Sequence, residues 1–177
     1  MLQQSILGPT KLDSKLEDRS TLLLWIKASG VQKDLHRARI LHAISLGKGF
    51  FPQDVCINNA LLSLYFKCRA IKEAENLFEK INIRNVVSWT ALISGCIRCG
   101  KPQHALMLYE KMVGNAIIQP SGHTYVAVLK ACAKLKNLEK GIEIHATILR
   151  EGRFDQNIFI LNSLIDMYAK CGSLARS

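Results

Sequence analysis

The sequence is poor in aromatic residues and proline, and it has no long apolar run. Aromatic side chains make up 7% of the 177 residues, and the four prolines and eleven glycines are scattered singly, which is typical of a folded, mostly helical chain. The longest apolar stretches, such as TLLLWI from Thr21, fall far short of the roughly 20 residues that span a bilayer. The N-terminus also lacks the apolar core of a secretory signal, so we expect a soluble protein that is not exported.

Negative charge is scarce as well. The chain has 14 Asp and Glu against 24 Lys and Arg, which gives a net charge of +10. Such an excess attracts polyanions, either nucleic acid or an anionic membrane surface. Charge alone does not choose between these partners.

The six cysteines allow disulfides, but 49% of the residues are hydrophobic, so the chain can bury a core without covalent links. Reduced thiols in a reducing compartment are therefore the better interpretation. Cys96 and Cys99 form a CxxC, which is the spacing of half a zinc site or a redox pair. No second pair lies at a suitable distance, and Cys99 recurs in phase at Cys68 and Cys171, which favours packing. We expect no metal and no cofactor.

Two patterns recur along the chain. The first is shared by NNALLSLYFKCRAIKEAENLFEKI from Asn58, WTALISGCIRCGKPQHALMLYEKM from Trp89 and LNSLIDMYAKCGSLARS from Leu161. The second is shared by LLLWIKASGVQKDLHRARILHAISL from Leu22 and YVAVLKACAKLKNLEKGIEIHATIL from Tyr125, so that it returns after 103 residues. Equivalent positions are separated by steps of 36, 31, 36 and 36, and they are Leu23, Asn59, Thr90, Val126 and Asn162.

Each repeat has the apolar spacing of two amphipathic helices, with a break such as the one at Gly100. A single helical hairpin of this size cannot bury its apolar face, so neighbouring hairpins must stack. The sequence therefore predicts an all-α fold, a right-handed α-solenoid of stacked helix-turn-helix repeats.

The motifs VVSWTALISG, LIDMYAKCGSLA and GIEIHATILREG resemble the standard, short and long repeats of the pentatricopeptide repeat family, in its plant subclass that alternates these three lengths. A fixed period of 34 residues, as in tetratricopeptide repeats, does not fit. The resemblance implies an N-terminal segment over residues 1–18, a possible weak leader, and a repeat array over 19–177. Its repeats would be 19–54 (long), 55–85 (short), 86–121 (standard), 122–157 (long) and 158–177 (short, truncated).

The resemblance implies sequence-selective binding of single-stranded RNA in mitochondria or plastids, for RNA processing or to mark sites of C-to-U editing. It does not imply an enzyme. A zinc deaminase needs an H-x-E motif, which this chain lacks, so an editing deaminase or other protein would act in trans. We expect no membrane and no small-molecule substrate.

In that family, one side chain early in each first helix and the last residue of the repeat together read a base. Carried onto this chain, the readers are Asn59 with Asn85, Thr90 with Ser121, Val126 with Asn157, and Asn162 without a partner. Leu23 would pair with Asp54. The family pattern suggests a pyrimidine at the Asn59 repeat, and Thr90 with Ser121 departs from the commoner Thr with Asn or Asp.

Residues three positions before each reader would flank the bases, and they are Cys56, Val87, His123 and Phe159. Basic residues that could contact phosphates are Lys33, Arg37, Arg39, Lys130, Lys134, Lys136 and Lys140.

Plainer interpretations stay open for many of these residues. Asn58, Asn59 and Asn162 could cap helices, and the basic residues could simply be solvated. His42 and His145 occupy equivalent positions and are expected to be partly buried structural residues. The chain as a whole could instead be a protein-interaction solenoid or a non-functional truncated remnant.

Overall fold

The computed structural model describes residues 18–114, 117–152 and 157–172. Residues 1–17 of the predicted N-terminal segment and 173–177 of the predicted last repeat lie outside this range. The described residues form nine α-helices and no strand. The helices are α1 (Arg19–Gln32), α2 (Leu35–Gly47), α3 (Val55–Lys67), α4 (Ile71–Lys80), α5 (Val86–Arg98), α6 (Pro102–Gly114), α7 (Gly122–Leu135), α8 (Leu138–Glu151) and α9 (Ile158–Lys170).

The helices repeat with the period that the sequence predicts. The odd-numbered helices α1, α3, α5, α7 and α9 begin at residues 19, 55, 86, 122 and 158, so their starts are separated by 36, 31, 36 and 36 residues. We call them first helices and the even-numbered ones second helices. The short step has a simple origin, because α4 has 10 residues where α6 has 13, and five residues follow α4 where seven follow α6.

The same backbone turn ends every first helix. One residue in each turn has a positive φ, and these residues are Lys33 (φ 54), Arg69 (φ 58), Gly100 (φ 79), Lys136 (φ 52) and Gly172 (φ 78). At Gly100 the turn is a Schellman motif, with the Gly100 N–H donating to the Ile97 carbonyl and the Lys101 N–H to the Cys96 carbonyl. The predicted break at Gly100 is therefore confirmed, and the turn directs each second helix back along the first.

Side chains just before the first helices determine where those helices begin. Asp54 caps α3, accepting hydrogen bonds from the backbone N–H groups of Cys56 (2.9 Å) and Ile57 (3.1 Å). Asn157 caps α9 in the same way. The interpretation of Asn58, Asn59 and Asn162 as caps is wrong, since the helices start earlier and these three residues lie within them.

The chain divides into two compact units, the first ending at Ile83 and the second beginning at Arg84. In the first unit the hairpins α1–α2 and α3–α4 pack side by side, and in the second α5–α6, α7–α8 and α9 do so. Each second helix has a small buried residue, at Ala38, Ala74, Ala105 and Gly141, again 36, 31 and 36 residues apart. The prediction of an all-α fold of stacked helix-turn-helix repeats is confirmed within each unit.

Helix α8 lies close to the Met167 side chain of α9 at Gly141. A Cβ atom at this position would lie 2.5 Å from the sulfur of Met167, so any larger residue would require the Met167 side chain to move. Within the described part of the chain, no helix is both long and apolar enough to cross a membrane.

Candidate nucleic-acid interface

Neighbouring first helices form three surface grooves, each within one unit. In the two grooves of the second unit, one wall is a first helix and the other is the N-terminal end of the next first helix. In the groove of the first unit, both first helices line the walls over most of their length. We name them by their walls as the α1–α3, α5–α7 and α7–α9 grooves. Their volumes are about 390, 480 and 230 Å³, respectively.

The α5–α7 groove brings together two residues that the sequence predicts to read one base. Thr90 from α5 and Ser121 from the start of α7 both line it, and the predicted flanking residues Val87 and His123 stand beside them. Val87 and His123 are exposed, whereas Thr90 and Ser121 are half-buried. Hydroxyl groups at the base of a cleft with exposed side chains at its rim suit a planar polar ligand.

The α7–α9 groove repeats this arrangement 36 residues later. Val126 and Asn157 line it, and His123 and Phe159 flank it. The Phe159 side chain is 73% exposed, which leaves its ring face open to stack on a base. Since His123 lines both this groove and the α5–α7 groove, one ring separates the two.

The α1–α3 groove contains the predicted reader Asn59 together with Leu23 and Cys56. Lys27 and Lys67 also line this groove, so it carries two cations. A Cβ atom at Gly30 would lie 2.7 Å from Lys67 Nζ, so the glycine makes room for this lysine.

Asp54 was predicted to pair with Leu23, but it is not among the residues that line the α1–α3 groove. Besides capping α3, it receives hydrogen bonds from the Arg19 guanidinium. Burial alone would raise the pKa of Asp54, but the bonds from Arg19 and from the Ile57 N–H outweigh it and leave the pKa below its ordinary value. Asp54 is thus an ionised structural residue.

The residues predicted to read bases from the ends of repeats all cap the next helix. Asn85 Oδ1 accepts from the Ser88 N–H (3.0 Å), and Asn157 Oδ1 accepts from the Phe159 and Ile160 N–H groups (3.1 and 3.2 Å). Because the oxygen binds the backbone, the amide orientation is fixed and its NH₂ group faces the other way. Of the two remaining predicted readers, Asn59 is half-buried in its groove and Asn162 is exposed on α9.

Three of the predicted phosphate ligands bind other side chains. Arg37 stacks on the Trp25 ring at 4.8 Å, and Arg39 forms an ion pair with Glu73 at 2.6 Å. Lys140 forms ion pairs with Glu110 (3.0 Å) and Glu143 (2.8 Å). All three lie on second helices, away from the grooves between first helices. Lys33 and Lys136 lie in the positive-φ turns, and Lys130 and Lys134 lie exposed on α7.

One basic residue recurs at the same repeat position near the ends of the first helices, and this sequence-equivalent set, which we call the cation row, was not predicted from the sequence. One basic residue occupies the last turn of four first helices, eight positions after each reader, and the row is Lys67, Arg98, Lys134 and Lys170. Lys134 Nζ donates to the Ile97 carbonyl near the end of the preceding first helix at 3.3 Å, where a cation is favoured by the helix dipole. Lys170 pairs with Asp166 at 2.8 Å. These four residues are separated by 31, 36 and 36 residues, the same steps as the repeats, and this spacing could have identified them from the sequence.

The two cysteines of the CxxC have different surroundings. Cys96 is buried in α5 and Cys99 is its C-cap residue, and none of the six cysteines forms a disulfide in the described part of the chain. Burial raises the pKa of Cys132 to about 11, which keeps that thiol protonated and unreactive at neutral pH.

Comparison with known sequences gives a consistent result. A family model described as the PPR repeat family matches residues 84–134, and a PPR repeat model matches residues 59–86 and 123–153, so together they cover 59–153. Pentatricopeptide repeat-containing protein At1g11290, chloroplastic, of Arabidopsis thaliana is 36% identical over 80% of this chain and 17% of its own length. Pentatricopeptide repeat-containing protein OGR1, mitochondrial, of Oryza sativa subsp. japonica is 35% identical over 90% of this chain and 28% of its own. The chain spans 17–28% of the length of such relatives.

Proposed function

Because this chain belongs to the pentatricopeptide repeat family, we propose that it binds single-stranded RNA and selects its sequence through the grooves between first helices. Proteins of this family are in general RNA-binding repeat proteins of organelle RNA processing, without catalytic activity of their own. The proposal places this chain among them as a binding protein rather than an enzyme.

The α5–α7 groove is the observation that carries the proposal. Two hydroxyl groups, from Thr90 and Ser121, meet in a cleft whose rim is formed by Val87 and His123. Hydrogen-bonding groups between flanking side chains that can pack on a base are what a splayed-out base requires, and one base per helical repeat is an established mode of RNA recognition. The α7–α9 groove lies at the equivalent place one repeat later, with Phe159 and His123 as flanking rings, but it has Val126 and Asn157 in place of the two hydroxyl-bearing residues.

The cation row supplies the electrostatic part of the proposal. Lys67 lines a groove with Lys27, and equivalent cations follow at the ends of later first helices. A net charge of +10 adds a general attraction for phosphates. Within the second unit, Arg98, Lys134 and Lys170 recur once per repeat, as the phosphates of a bound strand also recur at a constant spacing.

The cellular role is proposed from the family. Three of the relatives carry chloroplastic or mitochondrial names, and we propose that this chain acts in one of these organelles. We further propose membership of the plant subclass with alternating repeat lengths, which the 36, 31, 36 and 36 residue steps of the helices support. Marking a site for C-to-U editing, with the deaminase supplied in trans, is the specific role proposed.

Fluorescence anisotropy against short single-stranded RNAs tests the binding. The base opposite each groove is varied while salt is titrated. We expect a pyrimidine preference at the Asn59 repeat that Asn59→Ala abolishes. Asn76→Ala is the matched control, because Asn76 is exposed on the second helix α4 and should leave the preference unchanged.

Two results would contradict the proposal. Binding that ignores every base and vanishes by about 0.2 M salt would mean that only charge is at work. Retention of the base preference in Asn59→Ala would show that this residue does not read the RNA. In the first case the protein-interaction solenoid becomes the better hypothesis, and a search for protein partners follows.

A further inference from the structure

Three hydroxyl groups form a connected chain at the α5–α7 groove. Thr124 Oγ1 lies 2.8 Å from Thr90 Oγ1 and 3.0 Å from Ser121 Oγ, so it joins the two predicted base readers. It also accepts a hydrogen bond from the Ser121 N–H at 3.0 Å, and Ser121 Oγ accepts one from the Thr124 N–H at 3.3 Å. Thr124 is fully buried, at 0% exposure, and cannot touch a ligand itself.

The number of protons among these hydroxyl groups is limited. A hydroxyl group has one proton and two lone pairs, and the Ser121 N–H occupies one lone pair of Thr124. Thr124 is left with one proton and one lone pair for two neighbours. It must therefore donate to one of Thr90 and Ser121 and accept from the other.

In neither arrangement can both readers donate to a ligand at once. When Thr124 donates to Thr90, Ser121 uses its proton on Thr124, so Thr90 can donate to a ligand and Ser121 can only accept. When Thr124 donates to Ser121, Thr90 uses its proton on Thr124, so Ser121 donates and Thr90 accepts. Rotating the three hydroxyls together exchanges one arrangement for the other.

We propose that Thr124 couples Thr90 to Ser121, so that the α5–α7 groove recognises a base edge with one donor beside one acceptor, in either order. This inference rests on the proposed function and makes Thr124 a positioning residue. Adenine presents N6–H and N1 where guanine presents O6 and N1–H, which are the same places with the roles exchanged. Cytosine and uracil differ in the same way at N4 or O4 and N3. The groove should therefore treat adenine like guanine and cytosine like uracil.

The α7–α9 groove offers an internal contrast. Asn157 has its amide oxygen bound to two backbone N–H groups, and an amide cannot exchange donor and acceptor by rotating a proton. Ile160, at the position equivalent to Thr124, has no hydroxyl group. The exchange of donor and acceptor between two readers is thus expected in the α5–α7 groove and not in the α7–α9 groove.

Modified bases provide the test. Binding of short RNAs to the full chain is compared by fluorescence anisotropy. Each RNA carries adenine, guanine, cytosine, uracil, pyrimidin-2-one or an abasic unit at one position, and every position of the strand is tested in turn. The position that Thr90→Val affects identifies the base in this groove. Pyrimidin-2-one keeps the N3 and O2 acceptors of cytosine but lacks its N4 donor.

The wild type should bind adenine and guanine within about threefold of each other, and likewise cytosine and uracil, while pyrimidin-2-one should bind about tenfold more weakly than cytosine. Thr124→Val should reduce that tenfold loss to about threefold or less, because both readers can then donate at once. Thr124→Ser keeps the hydroxyl and should behave as the wild type. Thermal unfolding of each variant checks that the cap of α7 survives.

Separate results overturn the inference and the proposed function. A preference above about tenfold between adenine and guanine in the wild type would show that the hydroxyl chain does not reverse. Rejection of pyrimidin-2-one that persists in Thr124→Val would show that Thr124 does not couple the readers. If Thr90→Val changes no position while other grooves still discriminate bases, this inference alone fails. If every base and the abasic unit bind equally at every position of the strand, the proposed function fails instead.

Discussion

His42 Nδ1 lies 2.9 Å from the hydroxyl of Tyr65, and His145 Nδ1 lies 2.9 Å from the hydroxyl of Tyr168, 103 residues further along the chain. The ring centroids are 5.8 and 5.7 Å apart in the two pairs, and the rings are steeply inclined in both. Each bond joins a second helix to the first helix of the next repeat in its own unit. The expectation that these histidines are half-buried structural residues is confirmed.

Removing either tyrosine hydroxyl should weaken the packing of adjacent repeats. Tyr65→Phe and Tyr168→Phe each delete one hydrogen bond without changing the ring, so we expect each to lower the free energy of unfolding by about 1 kcal/mol. Denaturant unfolding followed by circular dichroism measures the change. Because the two pairs lie in different units, the double variant should show the sum of the two losses. A neutral effect of both substitutions would mean that the bonds do not stabilise the stack.

Stability should depend on the protonation of His42. Burial, assisted by the nearby charge of Lys80, lowers the pKa of His42 below its ordinary value of 6.5. The unfolded chain therefore binds this proton more readily than the folded one, and stability is lost as the pH falls below about 6.5. Unfolding measured at closely spaced pH values around this point should show the loss in the wild type and a smaller one in His42→Phe. Identical pH profiles would contradict the assignment.

A glycine in the turn after α3 should stabilise the chain. Arg69 has a φ of 58°, a conformation that costs a side-chain-bearing residue energy, and the equivalent turn after α5 uses Gly100. We expect Arg69→Gly to raise the free energy of unfolding by about 0.5 to 1 kcal/mol and Gly100→Ala to lower it by about 1. Thermal unfolding of both variants measures this. Destabilisation by Arg69→Gly would reveal that the guanidinium makes an interaction worth more than the strain.

The cation row should determine the salt dependence of RNA binding. Replacing Lys67 or Lys134 by Gln should make the negative slope of log affinity against log salt shallower by about 0.7 for each phosphate that the variant no longer neutralises. Lys111→Gln is the control, because Lys111 is exposed on the second helix α6. Anisotropy titrations at several salt concentrations give the slopes. Equal slopes in the wild type and all three variants would exclude the row from the interface.

Sequence periodicity was sufficient for the architecture, because stacked repeats give each equivalent position the same surroundings. The helix starts at residues 55, 86, 122 and 158 and the turn at Gly100 follow from this principle. The pairing of Thr90 with Ser121 was implied by the family resemblance, and both residues line one groove.

Hydrogen-bond geometry could not be predicted in the same way. Asn59 and Asn85 belong to one residue type, yet Asn85 caps a helix and Asn59 lies within one, because a cap depends on where the first free N–H groups point. The role of Thr124 could not be predicted from the sequence either. Its hydroxyl bonds to a residue 34 positions away, and its effect depends on which proton each oxygen carries.

The difference between the 31-residue and 36-residue steps lies entirely in α4 and the five residues that follow it. None of the described residues that line the three grooves belongs to a second helix. Insertions and deletions of about one helical turn can thus accumulate on the far side of a repeat while its groove-lining side chains stay in place. In evolutionary terms, the length of a repeat and the identity of the residues that face a ligand are free to drift separately.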